Sequence, residues 1–216
     1  MKGDILKIKP HHTAAARAVY DLLADEIKNA RGRFVVAVGG ESGSGKSETA
    51  AELARLAGED GVKALVIQQD DYFILPPKAN HRKRLEDFAW VGPGEVRLEL
   101  LDEHLARARD ANVNELEKPL SLFKEDELVT EKVSLAGVKF VIVEGAYAAS
   151  LHNVDRRVFI DRDFRATREA RAERGREGQD DFLERVLERE HGFISKLKDG
   201  ADIIIDKDYA VTAARR

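Results

Sequence analysis

The chain has 216 residues, of which 43% are apolar and 35% charged, enough of each for a buried core under a well-solvated surface. Its 36 basic and 40 acidic residues leave a formal net charge of −4, which argues against a protein that coats nucleic acid, and no run approaches the ~18 apolar residues that span a bilayer. Cysteine is absent, so disulfides, thiolate metal sites and a cysteine nucleophile are excluded. The N-terminus leads into lysines and His11-His12 rather than an apolar signal core, so the expectation is a soluble, cytoplasmic protein with neither membrane nor nucleic acid as a partner.

Residues 13–30 place Ala16, Val19, Tyr20, Leu23 and Ile27 at helical spacing, with Thr13 as a candidate cap and Gly32 as the break. Residues 34–38 form a short apolar run bounded by glycines, which predicts a strand buried on both faces. A glycine-rich turn follows, then a helix over 48–57. Further buried strands are predicted at 64–67, 138–143, 158–160 and 203–205, and helices at 95–109, 165–174 and 180–198. Residues 74–94 hold Pro76, Pro77, Gly92, Pro93 and Gly94 and read as a long irregular loop over a site. Strands alternating with helices imply a mainly parallel sheet covered on both faces.

The strongest motif is Gly40-Glu41-Ser42-Gly43-Ser44-Gly45-Lys46-Ser47, a complete G-x-x-x-x-G-K-S between a predicted strand and a predicted helix. Glycines let the backbone curl so that its N–H groups face phosphate oxygens, and the helix N-terminus adds a positive dipole. Lys46 offers a charge to the β- and γ-phosphates, and Ser47 a hydroxyl to Mg²⁺. The expectation is a nucleoside triphosphate bound by these residues and by Glu48 in the first helical turn. The guanine and switch signatures Asn-Lys-x-Asp and Asp-x-x-Gly are both absent from the sequence. The fold class expected is therefore α/β, a P-loop NTPase three-layer sandwich with a five-stranded sheet and a small helical lid. A single domain over 1–216 is expected, with a helical extension at 1–32, an acceptor-side loop at 74–94 and a lid at 163–178.

Gln69-Asp70-Asp71-Tyr72-Phe73 ends the second strand, at the sheet edge where an acceptor is expected. Asp70 suits a general base for an attacking hydroxyl, and Asp71 a structural or magnesium-linked role. Tyr72 and Phe73 suit either ligand stacking or core packing. Val141-Ile142-Val143-Glu144 ends a further strand in a carboxylate suited to Mg²⁺. Arg165, Arg168, Arg171, Arg174 and Arg176 form a basic stripe. With Glu169 and Glu173 interleaved, it suits either a salt-bridged surface helix or a lid that neutralises phosphate charge. As a lid it would bring Arg168, Arg171, Arg174 and Arg176 to ATP. Arg82 and Arg84, in the cluster His81-Arg82-Lys83-Arg84, either face an anionic acceptor or form a solvated tip.

With these residues in place, the chain resembles the uridine kinase and phosphoribulokinase family over residues 33–206. The matching stretches are Gly40 to Ser47, Gln69-Asp70-Asp71-Tyr72-Phe73, Glu144-Gly145, Glu173-Arg174-Gly175-Arg176, Pro119-Leu120-Ser121-Leu122-Phe123 and Ala201-Asp202-Ile203-Ile204-Ile205. The resemblance implies ATP and Mg²⁺ as cofactors, a catalytic base at Asp70 and phosphoryl transfer to a small hydroxyl acceptor. At Glu173-Arg174-Gly175-Arg176 it implies Arg174 as the catalytic arginine of the stripe. It also leaves room for a homo-oligomer. A nucleoside such as uridine leads the acceptors. Departures keep nicotinamide riboside, pantothenate and sugar phosphates open: Asp71-Tyr72-Phe73 replaces Ser-Phe-Tyr, Asp87-Phe88-Ala89-Trp90 replaces Asn-Phe-Asp-x-Pro, and Ala170 takes an aspartate position. The rival from another class is a slow nucleotide-dependent switch.

Overall fold

The computed structural model describes residues 6–174 and 180–214; of Arg174 only the backbone is described. In chain order the elements are α1 (Pro10–Asn29), β1 (Phe34–Gly40), α2 (Lys46–Glu59), β2 (Ala64–Gln68), α3 (Pro77–Glu86), α4 (Leu98–Arg109), β3 (Glu115–Leu122) and β4 (Glu127–Ser134). There follow β5 (Phe140–Glu144), β6 (Arg156–Ile160), α5 (Arg168–Arg174), α6 (Asp181–Ile194), β7 (Ile203–Ile205) and β8 (Val211–Ala213). The main sheet runs β2-β5-β1-β6-β7-β8. Its five expected strands are parallel, and β8 adds an antiparallel edge, with Ile203 opposite Ala213.

Alternation along β1 and β5 explains the layering, because successive side chains leave opposite faces of a strand. Val36, Val38, Phe140 and Ile142 pack with α1 and α2, where Tyr20, Leu23, Ile27, Leu53 and Leu56 are buried. Val35, Ala37, Val141 and Val143 pack on the other face with Leu101 and Leu105 of α4 and Ile194 of α6. Both faces being covered accounts for the continuous apolar runs. At the end of the sheet where the parallel strands begin, buried Arg33 donates to the carbonyls of Ala108, Val113, Leu135 and Val138. The opposite end, where those strands terminate, is left for the site.

Three local expectations change. Residues 74–94 are not an irregular loop: α3 occupies their middle, because Pro77 sits in its first turn, where a missing N–H costs nothing. The α1 helix starts at Pro10 for the same reason, ahead of Thr13. Residues 115–134 received no strand from sequence yet form the antiparallel hairpin β3–β4, separate from the main sheet. Its Leu116, Lys118 and Ser121 are buried while Glu115 and Glu117 are exposed, an alternation interrupted by Pro119.

Candidate active site

The phosphate loop follows from the end of β1. Gly43 and Gly45 hold φ values of 75° and 98°, a region that favours glycine, and the turn delivers Lys46 as the first residue of α2. A Cβ on Gly43 would lie 2.7 Å from Arg171 Cγ, and one on Gly45 would lie 2.9 Å from His12 Nε2. The loop is thus enclosed from outside by α5 and by the start of α1. Lys46 Nζ donates to the Glu41 carbonyl at 2.9 Å, across the mouth of the turn. Among the described residues, the buried Ser44 hydroxyl has no hydrogen-bond partner.

Strand order brings the acids to the same edge, since β5 lies between β1 and β2. Ser47 Oγ donates to Glu144 Oε1 at 3.1 Å. Burial, reinforced by the nearby Asp70 charge, pushes the Glu144 pKa up to about 7, against the pull of Lys46 and the Ser47 hydrogen bond. Asp70 sits half-buried in the 3-10 turn after β2 and lines, with Lys46, Ser47 and Glu144, one cleft of about 180 Å³. Phe73 lines the same cleft.

Two neighbours in that motif face elsewhere. Asp71 is buried in an ion pair with Lys118 at 2.8 Å and accepts the Ser121 amide at 3.1 Å, so its carboxylate anchors the β3–β4 hairpin rather than reaching Glu144. Tyr72 is fully buried, its hydroxyl 2.9 Å from His104 Nδ1, and burial pushes its phenol pKa up. These placements correct the expectation of Asp71 as a metal ligand and of Tyr72 as a substrate contact. An acidic pair on a 3-10 turn faces two directions, which one-dimensional spacing does not reveal.

Arg84 lines the cleft, whereas Arg82 is exposed and lines an adjoining chamber with Lys78, His81 and Phe182. The segment that leads into α5 is fastened to the phosphate loop. Thr167 Oγ1 donates to the Ser42 carbonyl at 2.8 Å, and the Phe164 amide donates to Glu41 Oε2 at 2.6 Å. Glu41 Oε1 lies 2.6 Å from His191 Nδ1 of α6, so this side chain braces the loop from behind and leaves only its backbone amide to phosphate. Arg171 is buried and donates to Thr167 Oγ1 at 2.7 Å and to the Phe164 carbonyl. These bonds turn its guanidinium onto the segment that leads into α5, which corrects its expected contact with ATP. Arg168 is exposed; the Arg174 side chain and Arg176 lie outside the described residues.

Sequence reasoning missed a second group at the loop. His12 Nε2 lies 3.1 Å from Tyr209 Oη, which also receives Arg162 Nη1 at 2.7 Å and donates to the Ser44 carbonyl at 3.1 Å. With Lys9 and Glu48 these residues line a hollow of about 120 Å³ on the outer side of the loop. Lys9 pairs with Glu173 at 2.8 Å, tying the start of the chain to α5. No motif in the sequence joins these residues; in the structure a turn from Asp206, closed by the Tyr209 amide on the Asp206 carbonyl at 3.0 Å, carries Tyr209 at φ 65° to the loop. Gln69, Tyr147 and Glu190 also line the cleft and were not foreseen.

The donors present fit Mg²⁺: a hydroxyl and a carboxylate, both hard oxygen ligands, lie together beside the loop. Among the described residues, no group of three or more acids or histidines holds a metal unaided. Such an ion would complete its shell with phosphate oxygens and water. Residues 35–212 match the family model described as "Phosphoribulokinase / Uridine kinase family". The chain belongs to this family. Membership makes it a nucleotide-using P-loop kinase by family. Among curated proteins, a bifunctional alpha-galactosidase/sucrose kinase of Mediterraneibacter gnavus is 27% identical over 201 residues. That match covers 85% of this chain and 21% of the relative, so the chain corresponds to about a fifth of that protein's length. A uridine kinase of Leuconostoc citreum is 26% identical over 184 residues, covering 80% of this chain and 86% of its own. A solved structure described as a possible uridine kinase from Bacillus stearothermophilus superposes with a TM-score of 0.62 at 19% identity, covering 87% of this chain and 97% of that one. Among the described residues, no helix is long and apolar enough to cross a membrane.

Proposed function

We propose that the protein is an ATP-dependent small-molecule kinase that transfers the γ-phosphoryl group to a hydroxyl, with a nucleoside as the lead acceptor. The observation that carries this reading is the single cleft in which Asp70 shares the floor with Lys46, Ser47 and Glu144. A carboxylate beside a triphosphate cradle suits a hydroxyl nucleophile. The curated relatives are named for sucrose and uridine, both hydroxyl compounds, which supports the same chemistry.

In this reading the loop amides and Lys46 bind the phosphates. Ser47 and Glu144 would hold Mg²⁺, which supplies charge neutralisation across the phosphate oxygens when bound. The acceptor oxygen bonds to the γ-phosphorus as the bond from that phosphorus to the β–γ bridging oxygen breaks. ADP leaves with that electron pair, and the acceptor proton passes to Asp70. Catalysis is positioning and electrostatic stabilisation, with residues 163–178 as lid and 1–32 as a helical extension whose helix α1 packs on α2.

ATP turnover measured alone and with a panel of hydroxyl metabolites tests the reading. Strong stimulation by one metabolite, with its phosphorylated product, is expected. Nucleotide binding with turnover that no acceptor stimulates would favour a nucleotide-dependent switch instead.

A further inference from the structure

The cleft described above, taken as the acceptor site under the kinase reading, has a charge pattern of its own. Its cationic lining is Lys46, on the phosphate side, and Arg84. Arg84 is only 13% exposed and lies against two carboxylates. Glu95 accepts its Nε and Nη2 at 2.6 and 3.1 Å, and Glu190 accepts Nη2 at 2.9 Å. Glu95 is itself buried and also accepts Asn80 Nδ2 and the Gly92 amide, so it is fixed in place. Asp70, Glu144 and Glu190 line the same cleft. Once Lys46 is engaged by a triphosphate and Glu144 by its Mg²⁺, Asp70 and Glu190 share the remaining space with one arginine that is already paired twice. An anionic group brought there meets like charge in a partly desolvated site, which disfavours its binding.

A second observation concerns polar atoms without partners. Gln69 is fully buried, and its Oε1 accepts the Tyr147 amide at 2.7 Å, which identifies Nε2 as the other end of the side-chain amide. Among the described residues, neither that Nε2 nor the buried Tyr147 hydroxyl has a hydrogen-bond partner, and both residues line the cleft. An unmatched buried polar group destabilises the empty site, and a ligand that matches it gains by that amount. A ligand hydroxyl, which both donates and accepts, matches an amide NH₂ and a phenol. Lys78, His81 and Arg82 line the adjoining chamber, not the one that holds Asp70.

We infer that the acceptor is uncharged around its reacting hydroxyl: a neutral polyol, either an unphosphorylated sugar or a nucleoside. Gln69 and Tyr147 read its hydroxyls, and Glu190 with the pinned Arg84 turns phosphate and carboxylate groups away. The alternatives of a sugar phosphate or a pantothenate-like acid do not fit this lining.

The test compares acceptors that differ only in charge: ribulose with ribulose 5-phosphate, fructose with fructose 6-phosphate, glycerol with glycerate, pantothenyl alcohol with pantothenate, and uridine with uridine 3′-monophosphate. ATP turnover and phosphorylated product are both followed. The neutral member of the active pair is expected to exceed its anionic partner in kcat/KM by on the order of a hundredfold. Glu190→Gln should narrow that ratio by improving the anionic partner, and Gln69→Leu should raise KM for the neutral one with kcat little changed. A merely structural role would lower both members together. Preference for the anionic member would overturn the inference and leave the kinase reading standing. ATP hydrolysis without phosphoryl product from any member would overturn both.

Discussion

Replacing Lys118 by Met removes the partner of a buried aspartate one residue from the proposed base. Lys118 and Asp71 side chains are each 4% exposed and meet at 2.8 Å, and Lys118 also reaches Glu131 at 2.7 Å. At an effective dielectric of ~20 the gross attraction at that distance is about 6 kcal/mol, much of it offset by desolvation of both ions. Breaking one side of such a pair is the expensive case, because the remaining charge stays buried. Here Asp71 would keep the Ser121 amide but lose the ammonium that lies between it and Glu131. The expected loss is about 3–5 kcal/mol in Lys118→Met, and clearly less in Lys118→Met combined with Asp71→Asn, which removes both charges. Guanidinium denaturation of the wild type, both single variants and the double variant reads this directly as midpoint shifts at constant slope. Because the pair ties the β3–β4 hairpin to the turn carrying Asp70, acceptor KM should also rise in the single variant while ATP affinity holds. A loss under about 1 kcal/mol in Lys118→Met, or a double variant no more stable than that single one, would refute the reasoning.

Lys46→Ala should lower phosphoryl transfer by ~10²–10³-fold or more while the unfolding midpoint stays close to wild type, as steady-state kinetics and thermal melts will read. Asp70→Asn should cost ~10²–10⁴-fold in kcat with ATP binding retained in calorimetry; an equal loss of ATP affinity would move Asp70 to the metal. Burial, and then His11, holds the His12 pKa down from 6.5 to about 4. The unfolded chain therefore takes the proton first on acidification, so this contribution to stability is complete above pH ~6.5. It is lost toward pH ~4, by no more than about 3 kcal/mol. His12→Gln should flatten that part of the stability–pH curve measured by denaturation, and an unchanged slope would remove His12 from the account.

Reading the sequence located what depends on local pattern. The apolar runs at 34–38, 64–67, 138–143, 158–160 and 203–205 became five parallel strands; β1 and β5 are buried throughout because a strand covered on both faces needs apolar residues at every position, whereas β2, at the sheet edge, is mostly half-buried. The glycine spacing from Gly40 to Ser47 was legible because a tight turn between strand and helix constrains residue type directly. Direction in space was not legible. Asp70 and Asp71 are adjacent and chemically identical, and only the hairpin bearing Lys118 decides that one lines the cleft and the other is buried. The hairpin itself escaped because Pro119 interrupts its alternation and its pairing is set by long-range register. Arg171 looked like its neighbours on the stripe, yet packing against Gly43 and Thr167 makes it internal support. Glu190, Arg84 and Tyr147 come from distant parts of the chain, and no spacing rule links them. Their meeting in one cleft was decided by the packing of α3 and α6 over the edge of the sheet, since burial and charge pairing are properties of the assembled surface rather than of any segment.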